Sequence, residues 1–206
     1  RSCRRFRSTP VPMDVLHDLV RIGMSAPSGT NSQRWTFTIV PDRAALQTLG
    51  DGILDFFRRL NKKAEKRTLL LASKLMKGDP LNRYRETYYE RIKEGIEQYE
   101  QGGRDLLFHG APAAIVVGSE RGASTAVEDA MLASQNILLA AHAMGYGTCL
   151  IGFAVAAMQK EHAISALVGI PDDEKVHAVI AVGPPANHFE RVARRGRATI
   201  RVAGEG

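Results

Sequence analysis

Cysteine, tryptophan and long apolar runs are scarce in this chain of 206 residues. Its two cysteines, Cys3 and Cys149, lie far apart and form no C-x-x-C pair. That spacing argues against a disulfide framework or a zinc site and is typical of a reducing compartment. The histidines form no H-E-x-x-H pair, so we expect no bound metal.

The apolar runs are too short to cross a membrane, because a helical span needs about 18 or more consecutive apolar residues. The pattern of a secretory signal peptide is not present either. We therefore expect a cytoplasmic protein with no membrane partner. The sequence begins at Arg1, without Met and inside a basic motif, so we also expect that further residues precede it.

Motifs of the common catalytic sites are missing as well. The chain has no G-x-S-x-G nucleophile elbow and no phosphate-binding P-loop. The glycines of GYGTCLIG (145–152) close a predicted helix and open a strand, whereas a dinucleotide fingerprint requires a strand, a turn and then a helix. If the protein is an enzyme, a bound cofactor is expected to carry the difficult step.

Positive charge is in excess, with a formal net charge of +6. Much of it lies in RSCRRFR (1–7) and RVARRGRATIR (191–201). Either these two segments converge on one anion, such as a phosphate, to which guanidinium groups bind well, or they are unrelated and solvated. A further basic cluster at 58–67 is interleaved with acidic residues, which favours a solvated helix surface over a nucleic-acid site.

Hydrophobic periodicity predicts a mixture of helices and strands around one central sheet, of the α/β or α+β class. A first helix is expected within 11–27, with Leu16, Leu19, Val20 and Met24 on one face. Asp42 is a candidate cap for a second helix. The predicted strands are WTFTIV (35–40), PAAIVVG (112–118), TCLIGF (148–153), VHAVIAVG (176–183) and ATIRV (198–202).

Two longer stretches are rich in helix formers. Residues 58–103 are predicted to form two exposed helices, broken at KGDP (77–80), as an insertion or lid in a single domain of residues 1–206. Residues 125–144 form a helix that is apolar almost all round, which requires burial in a core or against another subunit. Thr125 and Glu128 have the spacing of a capping box at its start.

Four motifs in this order resemble the nitroreductase family: RSCRRF (1–6), APSGTNSQRW (26–35), AMGYGTCLIGF (143–153) and VHAVIAVGPP (176–185). The resemblance covers essentially the full length, apart from the helical insertion. It implies an α+β, three-layer fold, in which a central, mostly antiparallel sheet is flanked by helices. It also implies an intertwined homodimer with FMN at each interface and with the helix 125–144 at its centre.

The resemblance implies which residues bind the cofactor. Those expected at the FMN phosphate and ribityl chain are Arg1, Ser2 and Arg4, with Arg195 or Arg197 at the same phosphate. Those expected to reach the flavin from the partner subunit are Ser28, Asn31 and Gln33. Those expected to line the ring and to offer backbone N–H groups are Cys149, Leu150, Ile151 and Gly152. Without the resemblance, the polar residues would fit a capped turn and Cys149 a small buried apolar residue.

The implied function is that of an FMN-dependent oxidoreductase with no catalytic side chain of its own. NADH, NADPH or another donor would reduce the flavin, and a small-molecule acceptor, such as a nitro compound or a quinone, would take the electrons. One alternative is a flavin-binding or regulatory module with little turnover. Another alternative, which rests on the charge alone, is a basic helical protein that binds nucleic acid. If the protein is the oxidoreductase, we expect no nucleic acid among its partners.

Arg34 is a departure from the family, which usually has Q-P-W where this chain has Gln33-Arg34-Trp35. The change frees the backbone and adds a cation close to the expected cofactor. We hypothesise that Arg34 favours an acidic acceptor or contacts the insertion.

Overall fold

The computed structural model describes residues 2–187, 190 and 196–203 of the chain. Arg1 and Arg195, two of the residues expected at the phosphate, lie outside these described residues. The helices and strands are α1 (Met13–Gly23), β1 (Trp35–Val40), α2 (Arg43–Ala64), α3 (Arg67–Ser73), α4 (Pro80–Thr87), α5 (Tyr89–Glu100), β2 (Ala113–Ser119), α6 (Ala126–Ala143), β3 (Gly147–Leu150), α7 (Gly152–Lys160), α8 (His162–Ala166) and β4 (Lys175–Gly183).

The strands form one antiparallel sheet in the order β1-β2-β4-β3. Its register places Val40, Ala114, Ala181 and Cys149 in a single row, one residue from each strand. β1 and β3 are therefore the two outer strands, and any group near one of them is separated from the other by the width of the sheet.

The sheet has a hydrophobic layer on each face, because successive side chains of a strand point to opposite sides. In β2, Ala114 and Val116 contribute to a core with α2 and α7. Ile115 and Val117 contribute to a second core with α1 and α6. All seven residues of β2 are buried, as the nearly uninterrupted apolar run predicts. The expected three-layer α+β fold is confirmed.

Three of the predicted strands and the helix predicted over 125–144 are confirmed to within one residue at each end. β1 has the predicted bounds, and β2 and β4 are displaced by one residue at one or both ends. Asp42 caps α2, accepting a hydrogen bond from the N–H of Ala45 at 2.9 Å. Leu16 and Leu19 are buried on α1, but Met24 follows the end of that helix and is 53% exposed.

Three local predictions are wrong. The strand predicted over 148–153 ends at Leu150, because α7 begins at Gly152. Residues 198–202 form no strand, and Ile200 is 84% exposed, since a strand requires a neighbour to satisfy its backbone hydrogen bonds. The capping box at Thr125 is not formed, because the Thr125 hydroxyl donates to the Asp129 carboxylate instead.

The charged stretch 58–103 differs from the two exposed helices that we predicted. Residue 58 lies inside α2, and three further helices follow, with Tyr88 separating α4 from α5. These helices bury Leu70, Ile92 and Ile96. The Tyr99 hydroxyl also donates to Asp51 on α2 at 2.7 Å. The stretch is thus packed on α2 and is exposed on its outer side.

The end of α6 depends on a glycine. Gly145 has a φ of 82°, and the N–H of Tyr146 donates to the carbonyl of Ala141 at 2.7 Å, which is the glycine-dependent end that the sequence predicts.

One side of α6 is buried against the sheet, and Val127, Leu132 and Leu139 are exposed on the other. Within the described residues, no helix is long and apolar enough to cross a membrane.

We expect Ile180→Ala to lower the free energy of unfolding by about 2–5 kcal/mol, because Ile180 is fully buried in β4 and its truncation leaves a cavity. Leu75→Ala is the matched control, since Leu75 is 91% exposed, and we expect a change within about 0.5 kcal/mol. Urea unfolding followed by circular dichroism measures both. Equal effects of the two changes would contradict this description of the core.

Candidate functional site

The N-terminal segment, residues 2–7, runs from the outer edge of β3 to the residues that follow β4. Ser2 forms a parallel bridge with Thr148, and the N–H of Cys3 donates to the carbonyl of Thr148 at 2.7 Å. Further along, Phe6 forms an antiparallel bridge with Pro185. The structure therefore brings Ser2 and Arg4, which are expected at the phosphate, next to β3, the strand that contains Cys149.

Two small residues explain why this segment fits closely against β3. A Cβ atom at Gly147 would lie 2.8 Å from Cβ of Cys3, so that only glycine allows the two backbones to approach this closely. Cys3 is buried, and its thiol donates to the carbonyl of Arg5 at 3.0 Å. From the other side, the guanidinium of Arg104 donates to the carbonyl of Arg4. The backbone of the basic segment is therefore fixed, while the Arg4 side chain is exposed.

The end of β3 presents its backbone groups in alternation. Alternate residues of a strand direct their N–H and C=O groups to opposite sides, and Thr148 faces the N-terminal segment. Cys149 therefore faces β4, and Leu150 faces outward. The N–H of Ile151 donates to the carbonyl of Val179 at 2.8 Å. The expectation that Ile151 offers its N–H to a cofactor is thus not met, because the sheet already uses that group.

The first turn of α7 follows directly. Its N-cap, Ile151, makes no hydrogen bond from its side chain to the helix, so the N–H groups of the first turn lack an intrahelical partner and a side-chain cap. A Cβ atom at Gly152 would meet nothing within 4 Å, and Leu150 beside it is 47% exposed. This open surface with backbone donors is suited to a flat, electron-rich group.

Two titratable groups report the electrostatics of this region. Burial raises the pKa of the Cys149 thiol, while the nearby Arg4 opposes the shift. The thiol therefore stays protonated at neutral pH, as expected of a small buried apolar residue rather than a reactive thiolate. Burial lowers the pKa of His109, and Arg4, Arg104 and Arg91 add to that effect while Asp105 opposes it. Arg4 is thus close enough to act on the pKa of both groups.

The charged stretch 58–103 reaches this region through an aromatic contact. The ring of Phe153 packs edge-to-face against Tyr88, with centroids 5.8 Å apart, and against Phe57 at 5.7 Å. Phe153 is adjacent to Gly152, and Tyr88 is 44% exposed. The junction of α4 and α5 therefore stands beside the expected ring site and gives it an aromatic wall. We did not predict Tyr88 for this role, since its place depends on how the helices pack.

The α1–β1 loop, residues 24–34, contains the other three expected cofactor residues. The hydroxyl of Ser28 accepts a hydrogen bond from the N–H of Gln33 at 3.0 Å. The side-chain amide of Gln33 donates to Asn31 at 2.8 Å. In a single chain these residues therefore form a self-capped turn, and all three retain further donors or acceptors.

The backbone of the same loop is strained. Thr30, Asn31 and Gln33 have φ values of 53°, 54° and 51°, in the left-handed region that costs about 1–2 kcal/mol for a residue with a side chain. The β-branched Thr30 is the least suited to it. Such strain is retained only where surrounding contacts impose it, and it is common at binding sites.

The contacts that impose it come from residues 120–129. The N–H of Gly29 donates to the carboxylate of Asp129 at 2.9 Å, and the hydroxyl of Ser124 donates to the carbonyl of Gly29 at 3.0 Å. Our sequence reasoning missed both partners. The acidic first turn of α6 suggested a capping box, and nothing local marks a carboxylate that bonds to a loop 100 positions away.

Arg34 belongs to the same set of contacts. Its guanidinium donates to the carbonyl of Arg121 at 2.7 Å and lies beside Gly122, where a Cβ atom would approach it to 3.1 Å. The hypothesis that Arg34 contacts the insertion is therefore wrong for this chain. Its proposed preference for an acidic acceptor stays a prediction.

The two halves of the expected site lie at opposite corners of the sheet. Cys149 shares a row with Val40, three strands away, which is about 14 Å at the usual strand spacing. Trp35, at the end of the α1–β1 loop, is five residues further along β1, about another 17 Å. Hydrogen bonds from both halves to one ring system are therefore not possible within a single chain.

The C-terminal arginines add little to this picture. Arg197 is described and exposed, and no hydrogen bond or ion pair joins it to Ser2 or Arg4 within residues 2–187, 190 and 196–203. Its expected place at the phosphate stays a prediction, as does that of Arg195.

Comparisons with known proteins agree with the fold. The model of the nitroreductase family matches residues 1–184. The chain is 25% identical to the iodotyrosine deiodinase of Thermotoga neapolitana over 189 residues, 90% of this chain and 84% of that protein. It is 26% identical to the NADH dehydrogenase of Thermus thermophilus over 90% of this chain and 83% of that protein. The FMN-bound nitroreductase of Bacteroides fragilis superposes with a TM-score of 0.71, at 22% identity, over 98% of this chain and 94% of the other.

We expect Gly147→Ala to detach the N-terminal segment, because the new methyl group would overlap Cys3. Cys3 is 2% exposed in the native chain, so its thiol should react about ten times faster with a thiol reagent once the segment opens locally. Gly95→Ala is the matched control, since a Cβ atom there meets nothing within 4 Å. Mass spectrometry after timed labelling distinguishes Cys3 from Cys149. An unchanged rate at Cys3 would contradict the close fit.

Proposed function

The chain belongs to the nitroreductase family, and from this premise we propose that it is an FMN-dependent oxidoreductase that passes electrons from NADH or NADPH to a small-molecule acceptor. The bridge between Ser2 and Thr148 carries the proposal. It joins the basic N-terminal segment to the glycine-rich end of β3, which are the parts expected at the phosphate and at the ring. FMN combines a phosphate with a flat ring system, and therefore fits a site with these two parts.

At the phosphate end, Ser2 and Arg4 supply the donors among the described residues. The backbone on both sides of Arg4 is fixed, by the Cys3–Thr148 hydrogen bond and by Arg104. Its guanidinium can therefore form charge-assisted hydrogen bonds to a phosphate with little loss of backbone freedom. Arg1, Arg195 and Arg197 are proposed to add to this site, as the family resemblance implies.

At the ring end, the fit rests on the open surface at Gly152 and on its donors. The absent Cβ of Gly152 leaves space for a flat ring, and Leu150 directs its N–H outward beside it. The uncapped start of α7 adds the partial positive charge of a helix N-terminus. FMN, when bound, supplies the hydride chemistry. The chain orients it and stabilises negative charge at that edge through preorganised donors.

The acceptor is proposed to be a small aromatic or quinoid molecule, such as a nitro compound or a quinone. The wall formed by Phe153 and Tyr88 stands beside the ring site and can stack or pack edge-on against such a molecule. The exposed cation of Arg4 beside the site would favour an acceptor with negative charge. The names of relatives such as the Thermus thermophilus NADH dehydrogenase support a nicotinamide as the donor.

A second copy of the chain is proposed to complete the site. The separation between the α1–β1 loop and β3 means that Ser28, Asn31 and Gln33 must reach the flavin from a partner. The outer side of α6 exposes four large apolar side chains, Val127, Met131, Leu132 and Leu139, among the polar Glu128, Gln135 and His142. Several large apolar side chains exposed on one helix are typical of a subunit interface. The structure holds a single chain, so the homodimer is supported by these two features and by the family. A cytoplasmic location also stays a prediction.

We expect the purified chain of residues 1–206 to bind FMN and the bound flavin to be bleached by NADH or NADPH under anaerobic conditions. Arg4→Gln should raise the Kd for FMN about 10- to 100-fold, because a hydrogen bond to a charged group contributes about 1.5–3 kcal/mol. Arg7→Gln is the matched control, since Arg7 is exposed in the same segment and should leave the Kd unchanged. Flavin fluorescence quenching measures the affinity.

Three outcomes would alter this proposal. A native chain that binds no FMN would exclude the oxidoreductase. A chain that binds FMN but is bleached by neither nicotinamide would favour another donor or a flavin-binding module with little turnover. Equal losses of affinity in Arg4→Gln and Arg7→Gln would remove Arg4 from the phosphate site.

Leu139→Arg tests the homodimer, because Leu139 is 59% exposed on the outer side of α6. A charge buried without a partner costs about 3–5 kcal/mol, so the dissociation constant of the dimer should rise about 100-fold or more. Sedimentation velocity measures it, with Leu75→Arg in the exposed turn after α3 as the control. A stable Leu139→Arg dimer, or a native monomer that binds FMN fully, would contradict the shared site.

A further inference from the structure

The contacts of the α1–β1 loop converge on one side chain of α6. Asp129 is 4% exposed and is the only buried charged residue in the part of the chain that the structure describes. Its Oδ1 atom accepts hydrogen bonds from the N–H of Gly29 at 2.9 Å and from the hydroxyl of Thr125 at 2.8 Å. One carboxylate oxygen therefore ties the loop to the first turn of the helix.

The loop backbone at this contact has no room to move toward the helix. A Cβ atom at Gly29 would lie 2.0 Å from Oγ1 of Thr125 and 2.8 Å from Oγ of Ser124. Ser124 also donates to the carbonyl of Gly29 at 3.0 Å. Both backbone groups of Gly29 are thus bound to residues at the start of α6, and glycine is the one residue that fits between them.

The strained residues follow immediately after this attachment point. Thr30, Asn31 and Gln33 all have left-handed backbone angles, which such residues adopt only where their surroundings impose them. At the far end of the loop, Arg34 donates to the carbonyl of Arg121. The loop is therefore held at Gly29 and at Arg34. The strained residues lie between these two points, and they include Asn31 and Gln33, which are proposed to reach the flavin.

The second oxygen of Asp129 indicates that the residue is not there for stability alone. Its Oδ2 atom is buried and has no hydrogen-bond partner among the described residues. A buried carboxylate with one unsatisfied oxygen is unfavourable compared with an apolar side chain of similar size. Its presence is explained if the conformation that Oδ1 imposes on the loop is needed for binding.

We propose that Asp129 is a positioning residue that holds the α1–β1 loop in the strained conformation with which the loop contacts the flavin. This inference rests on the proposed function for the identity of the ligand. It does not rest on it for the attachment itself, which can be measured in the chain without FMN. Asp129 acts through Gly29 and touches no part of the proposed cofactor site.

The test uses three variants of the chain of residues 1–206 and three measurements. Asp129→Ala removes the acceptor, and Asp129→Asn retains an amide oxygen in its place. Ser134→Ala is the matched control, because Ser134 is 1% exposed on the same helix and its hydroxyl bonds only to the carbonyl of Ala130. The measurements are urea unfolding, the Kd for FMN, and the emission of Trp35 before FMN is added. Trp35 is the chain's only tryptophan and follows the loop directly.

We expect Asp129→Ala to raise the Kd for FMN about tenfold or more, the loss typical of a hydrogen bond to a charged group, and to shift the Trp35 emission. Asp129→Asn should recover most of the affinity, to within about fivefold of the native Kd, because the amide oxygen can accept from Gly29. Ser134→Ala should leave both the Kd and the emission unchanged, whatever its effect on unfolding. A destabilised chain with native Kd and native emission in Asp129→Ala would overturn the proposal.

Two further outcomes are decided by the same measurements. If Asp129→Ala does not fold, Gly29→Ala replaces it, since it leaves Asp129 intact but displaces the loop from Thr125. An unchanged Kd in that variant would overturn the proposal, and a raised Kd would support it. If the native chain binds no FMN, the proposed function fails, and the Trp35 emission of Asp129→Ala still decides whether Asp129 sets the loop.

Discussion

Hydrogen bonds between the central strands β2 and β4 hold the two halves of the sheet in register. Because these two strands are central, their register fixes the row that joins Val40 on one outer strand to Cys149 on the other. The α1–β1 loop and the end of β3 are thereby held at opposite corners of a rigid sheet. Neither corner can move to the other without breaking the central pairing. A ligand that needs both corners must therefore lie between two copies of the chain.

The fold could be predicted from the sequence where a local pattern and the long-range contacts agree. In WTFTIV (35–40), apolar and polar residues alternate, as expected for an edge strand with one buried face. The apolar run of β2 is buried on both faces because α2 and α6 cover them. Prediction failed where the tertiary partner decides the structure. Residues 198–202 have the composition of a strand but pair with no strand among the described residues. Thr125 has the spacing of a cap but bonds to Asp129 instead.

The candidate site divides in the same way. The family motifs indicated that Ser2 and Arg4 belong with Cys149 and Gly152, and the structure places the N-terminal segment on β3. The motifs could not indicate which backbone groups the sheet already uses, so the N–H of Ile151 was assigned to the cofactor although it bonds to Val179. Arg34 is a similar case. A cation in a polar loop suggests a ligand, yet its donor is directed at the carbonyl of Arg121, which no local pattern reveals.

The strain in the α1–β1 loop is consistent with the proposed site, which two copies of the chain would share. A loop that completes a site across an interface would lose its conformational freedom on binding if it were flexible in the separate chain, and that loss would weaken both association and cofactor affinity. A loop already fixed by Asp129, Ser124 and Arg34 has lost that freedom during folding. The cost then lies in the left-handed residues and in one buried carboxylate oxygen that has no partner among the described residues. Under the proposed function the rigid sheet and the rigid loop serve one requirement, because a site shared by two copies loses less freedom on assembly when each corner is fixed beforehand.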